Sequence, residues 1–296
     1  MSQRTGGPRV VALGGGHGLA TTIRAARRYA GDLTAIVSVA DDGGSSGRLR
    51  EVAGIPAPGD LRRCLVAMAG DVNPWASAFE YRFPAGSGEL AGHALGNLII
   101  AGLANATGDF SAALGLAAGL LGPVGRVLPA TSVPTVLKAD VAGREVVGQV
   151  AVSETSGTIR CVSIVPPDAP APDEALEAIA AADQVILGPG SLYTSVLAVA
   201  VVPSIRRALQ ARATGVVYVC NLRPQLPETA GFTEADHLRA VLEHDVPVEV
   251  MVAPPGPAGE TRAALMGVPV VRDALAQPDG SGHDPEKLAS VLAELP

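Results

Sequence analysis

The chain has 296 residues, a formal charge of −7 and 48% hydrophobic residues, enough apolar mass for a substantial buried core. The acidic balance excludes the basic field that gripping duplex nucleic acid demands. Cys64, Cys161 and Cys220 share no ligand spacing, which argues against structural zinc and a disulfide framework.

The N-terminus, MSQRTGGPRVVAL, lacks the apolar run of a signal peptide, so a cytoplasmic protein is expected. Residues 10–13 read as a first strand and residues 20–29 as a helix with Gly31 at C′. Residues 33–40, LTAIVSVA, are apolar at most positions, as a parallel strand covered on both faces should be. A loop over 70–93 follows. Residues 94–122 are apolar enough to suggest a membrane span, but Asn97, Asn105, Thr107 and Asp109 interrupt them. Two buried helices joined at Thr107-Gly108-Asp109 are predicted instead, each too short for a bilayer.

Residues 136–165 alternate around Gly143, Gly148 and Gly157, which predicts antiparallel hairpins forming a subdomain or an edge extension of the main sheet. A Pro-rich turn and a short helix come next, then strands over 184–187, 215–220, 248–253 and 268–271. Asp284-Pro285 is an N-cap and N1 pair for a final helix. Alternating strands and helices with short connections predict a Rossmann-like, doubly wound α/β sheet, mainly parallel, in a single domain over 1–296 with a β-rich extension at about 136–165. Its functional loops should gather at the carboxyl ends of the strands.

Gly14-Gly15-Gly16-His17-Gly18 follows the first strand and opens a helix, the layout of a phosphate-binding turn. The match to G-x-G-x-x-G lacks its third glycine, where Leu19 stands, and no Walker A lysine follows. Asp41 lies where a dinucleotide fold places the carboxylate that bonds a ribose hydroxyl, and Asp42, Ser45 and Ser46 continue a donor-rich loop, with Asp42 also fit for an N-cap. Asp60 stands at a helix start with Arg62 and Arg63 just inside; arginines there oppose the helix dipole and call for an anionic partner. His93 and Asn97 fall four apart on one helix face. Two later loops, GPGSLYTS (Gly188, Gly190, Ser191, Tyr193, Thr194) and NLRPQLPET (Asn221, Arg223, Gln225), follow strands in the same way. Asp41, Asp42 and Asp60 could also hold a divalent ion, although they lack a fixed ligand spacing.

GGGHGL, VSVADDGGSSGRLR, PGDLR, GHALGNL, LGPGSLYTS and the YVCNL stretch together resemble the YvcK family of gluconeogenesis factors, which is similar to CofD, the phospholactate transferase of deazaflavin coenzyme biosynthesis. The resemblance implies a Rossmann-like fold with a UDP-sugar ligand, UDP-N-acetylglucosamine, and a role in cell-wall growth and cell shape on gluconeogenic carbon sources. It places the nucleotide crevice at 14–18, Asp41, Asp42, Asp60, Asn97 and the loops 188–195 and 221–229, and it leaves room for self-association and protein partners of cell-wall synthesis. Gly43-Gly44-Ser45-Ser46 stands where the CofD branch has a bulky segment, which favours the YvcK side. A CofD-like transferase using Mg2+ is the alternative, and a dinucleotide oxidoreductase a third. No catalytic residue, resident cofactor or metal is assigned. NLRPQLPET departs from the family's version of that loop, and the tail beyond residue 250 carries no part of the resemblance.

Overall fold

A computed structural model describes residues 6–69, 73–256 and 262–296; the extreme N-terminus read for a signal peptide and most of PPGPAGE lie outside these. β1 (Arg9–Gly14) and β2 (Asp32–Val37) are each exposed at the first residue and buried at the other five, as strands sandwiched between helices must be. Between them, α1 (Gly16–Ala26) begins inside the glycine turn, four residues earlier than predicted, and ends at Arg27. Gly31 is not its C′ residue. The Gly31 N–H donates to the Pro8 carbonyl (2.9 Å), and a Cβ there would strike the Gly7 carbonyl. Its missing side chain serves a close pass of two backbones.

β2 also stops three residues before the predicted end, leaving residues 38–40 as a lead into α2 (Gly44–Ala53) and α3 (Pro58–Ala69). Part of the segment expected as loop is helical: α4 (Pro74–Glu80) has Asn73 accepting from the Trp75 N–H and Pro74 in its first turn, a start signal legible in sequence. α5 (Leu95–Thr107) and α6 (Phe110–Leu121) take the place of the apparent membrane span. Gly108 ends the first at φ +68°, and Asp109 caps the second by accepting from the Ser111 and Ala112 N–H groups. Among the described residues no single helix is long and apolar enough to cross a membrane.

After β3 (Arg126–Pro129), β4 (Val136–Val141), β5 (Arg144–Val147) and β6 (Ile159–Val165) form the predicted antiparallel hairpins, in the order β5-β4-β6, with α7 (Gln149–Ser153) linking β5 to β6 along the chain. They make a sheet of their own and do not extend the main one. Leu137, Ala139, Ile159, Val162 and Ile164 bury its inner face in the core that covers one side of the main sheet.

The second half runs α8 (Asp173–Ala181), β7 (Gln184–Leu187), a π-helical stretch Leu192–Leu197 leading into α9 (Ala198–Ala200), α10 (Pro203–Gln210), β8 (Val216–Val219), α11 (Glu234–Glu243), β9 (Val248–Ala253), β10 (Arg262–Leu265), β11 (Val268–Arg272) and α12 (Pro285–Leu292). The main sheet has the order β10-β11-β9-β8-β7-β1-β2-β3. Every pairing in it is parallel except β10 with β11; β10 escapes the sequence reading. From β1 the chain steps outward through β2 to β3, then returns to the opposite side of β1 at β7. The β1/β7 pair is therefore the switch point, where a doubly wound sheet opens a crevice beyond its carboxyl ends.

Candidate functional site

The glycine turn after β1 makes room first for the protein itself. Gly16, at φ +63°, donates its N–H to Asp60 Oδ2 (2.7 Å), and a Cβ on Gly15 would meet the same oxygen at 2.7 Å. A Cβ on Gly18 would overlap the Pro189 carbonyl. The N-terminus of α1, a natural anion seat, thus holds a carboxylate delivered by α3. Burial raises the pKa of Asp60, opposed by Arg63, whose Nη1 lies 2.7 Å from Oδ1, and by the Gly16 N–H.

Beside this seat lies a cleft of about 530 Å3. One wall is the exposed face of α1, with His17, Gly18, Thr21 and Arg24; a second is Pro189 and Gly190 after β7 together with residues 221–225 after β8; the third is Gln277 and residues 280–283 of the tail. Asn221 pins the two strand-end loops together, accepting from the Gly190 N–H (3.1 Å) and donating from Nδ2 to the Gly190 carbonyl (2.7 Å). Arg223 Nη2 donates to the Gly280 carbonyl (3.1 Å) and ties the β8 loop to the tail. Partial burial and the Arg63 guanidinium hold the His17 pKa below its ordinary value. Among the described residues no Asp or Glu lines this cleft, although the chain carries 29 of them. Two arginines facing a carboxylate-free hollow in an acidic protein favour an anionic occupant.

Of the residues singled out in sequence, His17, Gly18, Gly190, Asn221, Arg223 and Gln225 line this cleft. Gly14, at φ +153°, and Gly188, at φ +82°, shape the turns that enter it. Asp41, Ser46 and Asp60 gather at the start of α3, outside the cleft lining: a Cβ on Gly59 would meet Ser46 Oγ and lie 3.5 Å from Asp41 Oδ2. Asp41 Oδ1 accepts from the Gly43 N–H (3.0 Å).

Other residues are committed elsewhere. Asp42 caps α7 rather than its own helix, accepting from the Gln149 and Val150 N–H groups (2.9 Å each). Arg62, 1% exposed, does not face the cleft: its anionic partner is Glu80 (2.6 Å), and it also donates to Asn97 Oδ1 and the Phe79 carbonyl. Asn97 in turn donates to Ser45 Oγ (3.1 Å), which lies 3.0 Å from His93 Nδ1. This buried chain of contacts clips α2, α3 and α5 together. Tyr193 and Thr194 are buried, their N–H groups and the Thr194 hydroxyl donating to Glu228, while the Tyr193 hydroxyl donates to the Ile159 carbonyl. Ser191 starts the π-helical stretch, its carbonyl accepting from the Ser195 and Val196 N–H groups.

The three aspartates do not converge as one ligand set: Asp42 accepts from the start of α7, while Asp41 and Asp60 accept from the Gly43 and Gly16 N–H groups. Among the described residues no group of three or more His, Cys, Asp or Glu could hold a metal.

Sequence reasoning passed over Thr21, Arg24, Gln277, Ser281 and His283. The first two were findable, since His17, Thr21 and Arg24 fall at i, i+4 and i+7 on one helix face. The tail wall had no such signal.

Residues 10–261 match the family model described as 2-phospho-L-lactate transferase CofD. The chain belongs to the CofD family. Within that family it is similar to the gluconeogenesis factor of Bacillus subtilis, 38% identical over 312 positions that cover 97% of this chain and 98% of that protein. The gluconeogenesis factor of Halalkalibacterium halodurans is 43% identical across 79% of this chain and 73% of its own. The crystal structure of a UPF0052 family protein from Bacillus halodurans at 2.60 Å resolution superposes with a TM-score of 0.89 at 35% identity, over 97% of this chain and 99% of that one. The CofD family match ends at residue 261, so the tail wall of the cleft lies beyond it.

Proposed function

We propose that the chain binds a nucleotide diphospho-sugar, UDP-N-acetylglucosamine, in the cleft at the β1/β7 switch point and acts as a cytoplasmic regulatory protein of cell-wall growth, cell shape and gluconeogenic growth. The observation that carries the reading is the cleft itself: it lies at the carboxyl ends of β1, β7 and β8, presents Arg24 and Arg223, and is lined by no carboxylate among the described residues. Such a lining suits a diphosphate, and a hollow of this size falls in the range of small-molecule sites. The uridine sugar and the regulatory role come from the resemblance to the gluconeogenesis factors.

Binding without turnover fits the side chains present. Transfer of a phospho-group calls for charge neutralisation, ordinarily with a metal, and for a general base. The aspartates are engaged as described, and His17 is the cleft imidazole nearest the α1 N-terminus, with no carboxylate hydrogen-bonded to it among the described residues. In a thermal-shift screen, UDP-N-acetylglucosamine at 100 times its Kd adds about 2.7 kcal/mol, raising Tm by about 4 °C for a chain this long, while GDP, GTP and NAD leave it in place. Chromatography of the incubated ligand with magnesium recovers it intact. A shift with a guanosine or nicotinamide nucleotide but none with the uridine sugar refutes the ligand, and steady release of UDP or UMP replaces the regulator with a CofD-like transferase.

A further inference from the structure

The α5–α6 hairpin exposes a face that the cleft does not use. Residues 90–125 carry a single charged side chain, Asp109, in a chain that is 17% charged overall, and Asp109 is engaged as the α6 cap. Each helix buries one face: α5 through Ile100, Ala101 and Ala104, α6 through Ala113, Leu114, Ala117 and Leu121. The opposite face of α6 is exposed and apolar, with Ala112, Gly115, Leu116, Gly119 and Leu120. Leu116 is 53% exposed, and Val124, just past the helix, 56%. Asn73 Nδ2 donates to the Leu121 carbonyl (2.6 Å), which sets the start of α4, with Trp75 45% exposed, beside the end of α6.

The glycines of this face are a second, separate observation. Gly115 and Gly119 lie one turn apart inside α6, and Gly102 lies inside α5. A glycine in a helix interior destabilises it relative to alanine, so such a residue ordinarily marks a neighbour that needs the space. Among the described residues no neighbour does: a Cβ built on any of the three meets no heavy atom within 4 Å. Close approach by another molecule accounts for them, since small residues spaced four apart let two helix backbones come together. The charge of the chain identifies that molecule. Two copies at −7 each repel one another, and a face without charges is where that repulsion is weakest and where no ion has to be desolvated. A lipid surface fits less well. Helices that lie on bilayers carry Lys and Arg beside their apolar face, and neither occurs between Arg82 and Arg126. We propose that α6 packs against α6 of a second copy across a two-fold axis, with Gly115 and Gly119 at the crossing and Leu116 and Leu120 filling the space on either side. A two-fold contact of this kind is self-complementary. No residue of α4, α5 or α6 is among the described residues lining the cleft, so the dimer leaves both clefts open and the inference stands apart from the ligand proposed for them.

The test is sedimentation-velocity ultracentrifugation of the full chain between about 1 and 200 μM, a range suited to a small interface. It is run at about 0.05 M and about 0.5 M NaCl, which changes the reach of surface charge several-fold. Wild type dimerises, and the dimer tightens at the higher salt, because screening removes the repulsion between two acidic bodies and leaves the apolar contact in place. Leu116→Glu, at an exposed position that the fold does not need, weakens the dimer at least about tenfold by burying an unpaired carboxylate. Gly115→Leu also weakens it about tenfold, because the added side chain holds the backbones apart, even though it makes the face more apolar. Val52→Glu, at an 88% exposed position on α2, changes nothing. Should Gly115→Leu fail to fold, Gly119→Leu, with the same open space around its Cβ, makes the same measurement. A wild-type chain that stays monomeric at the highest concentration and salt overturns the proposal, and its capture by neutral phosphatidylcholine vesicles would move the face to a lipid surface. A dimer that loosens as salt rises overturns it too, by placing the contact among charges. So does a dimer that is indifferent to Leu116→Glu, or one that Gly115→Leu tightens, which would make the face adhesive without close packing.

Discussion

Arg62 offers a decisive perturbation, because its sequence position suggests a diphosphate contact and its surroundings show a structural one. The guanidinium is 1% exposed and joins three elements: Nη1 to Glu80 Oε1 at 2.6 Å, Nε to Asn97 Oδ1 at 3.1 Å, and Nη1 to the Phe79 carbonyl at 3.3 Å. Gly96 is part of the same arrangement, since a Cβ there would lie 2.9 Å from Arg62 Cδ and 2.7 Å from the Phe79 ring. Arg62→Ala leaves two buried acceptors short of a donor and opens a cavity, while Glu80, about half exposed, recovers water. The sum is about 3–5 kcal/mol, from two buried acceptors left unpaired and the packing lost with the side chain. At roughly 2.1 cal/mol/K per residue of unfolding entropy, Tm falls by about 5–8 °C. Scanning calorimetry measures this, and titration with UDP-N-acetylglucosamine below the new Tm finds the affinity within about threefold of wild type. Arg24→Ala gives the converse pattern, with unchanged Tm and weaker binding. An Arg62→Ala protein of wild-type Tm that no longer binds the ligand would falsify the structural assignment.

Gly18→Ala drives a methyl group into the Pro189 carbonyl, so stability drops by about 1–3 kcal/mol, as overpacking does, and ligand affinity drops with it; an unchanged denaturation midpoint would show that the two loops do not touch. Asp42→Ala removes the acceptor for the α7 N–H groups and costs about 1 kcal/mol, read as faster amide exchange at Gln149 and Val150 with ligand affinity preserved. The acid limb of stability tests His283. Its folded pKa, about 4, lies below the ordinary 6.5, so between those values the unfolded chain binds more protons and stability rises with pH. Asp60 and Glu228, both raised by burial, tilt the other way, so the informative quantity is the difference from His283→Phe. From pH 4.5 to 7 its urea midpoint rises less, or falls more, than that of wild type, and parallel pH curves for the two proteins contradict the placement of the ring.

The order of the fold was legible because strand and helix signals are local. Residues 184–187 and 248–253 match β7 and β9 at both ends, and Gly108, Asp109 and Asp284 mark their helix termini as turn and cap chemistry dictates. The errors arose where backbones meet across the sequence. Gly31 resembles a helix terminator but serves a pass beside Gly7. Asp42 resembles a cap for the helix after it but caps one more than a hundred residues on. Within the site, glycine-rich loops after strands were visible one by one, yet which of their side chains faces the cleft depends on neighbours no local pattern names. Arg62 and Arg63 are adjacent in sequence; one is in the core against Glu80, the other at the α1 N-terminus against Asp60.

The α1 N-terminus bears on how a phosphate enters such a cleft. An unoccupied helix N-terminus attracts an anion through its free N–H groups, but here Asp60 already accepts from Gly16, and a second anion placed directly on that seat would face a carboxylate. Arg63 at 2.7 Å offsets part of that charge, and the His17 ring stands beside it in the field of both. For the diphosphate proposed above, the position free of that carboxylate is along the flank of α1, over the face carrying His17, Thr21 and Arg24, with Arg223 on the β8 loop opposite. Asp60 fixes the glycine turn, and on the proposed reading it also keeps the ligand to one side. On that reading the cleft differs from a P-loop, in which the helix terminus itself cradles the phosphate, and the incomplete dinucleotide pattern follows: a glycine in place of Leu19, which is fully buried in the core, would bring nothing to a ligand held to one side.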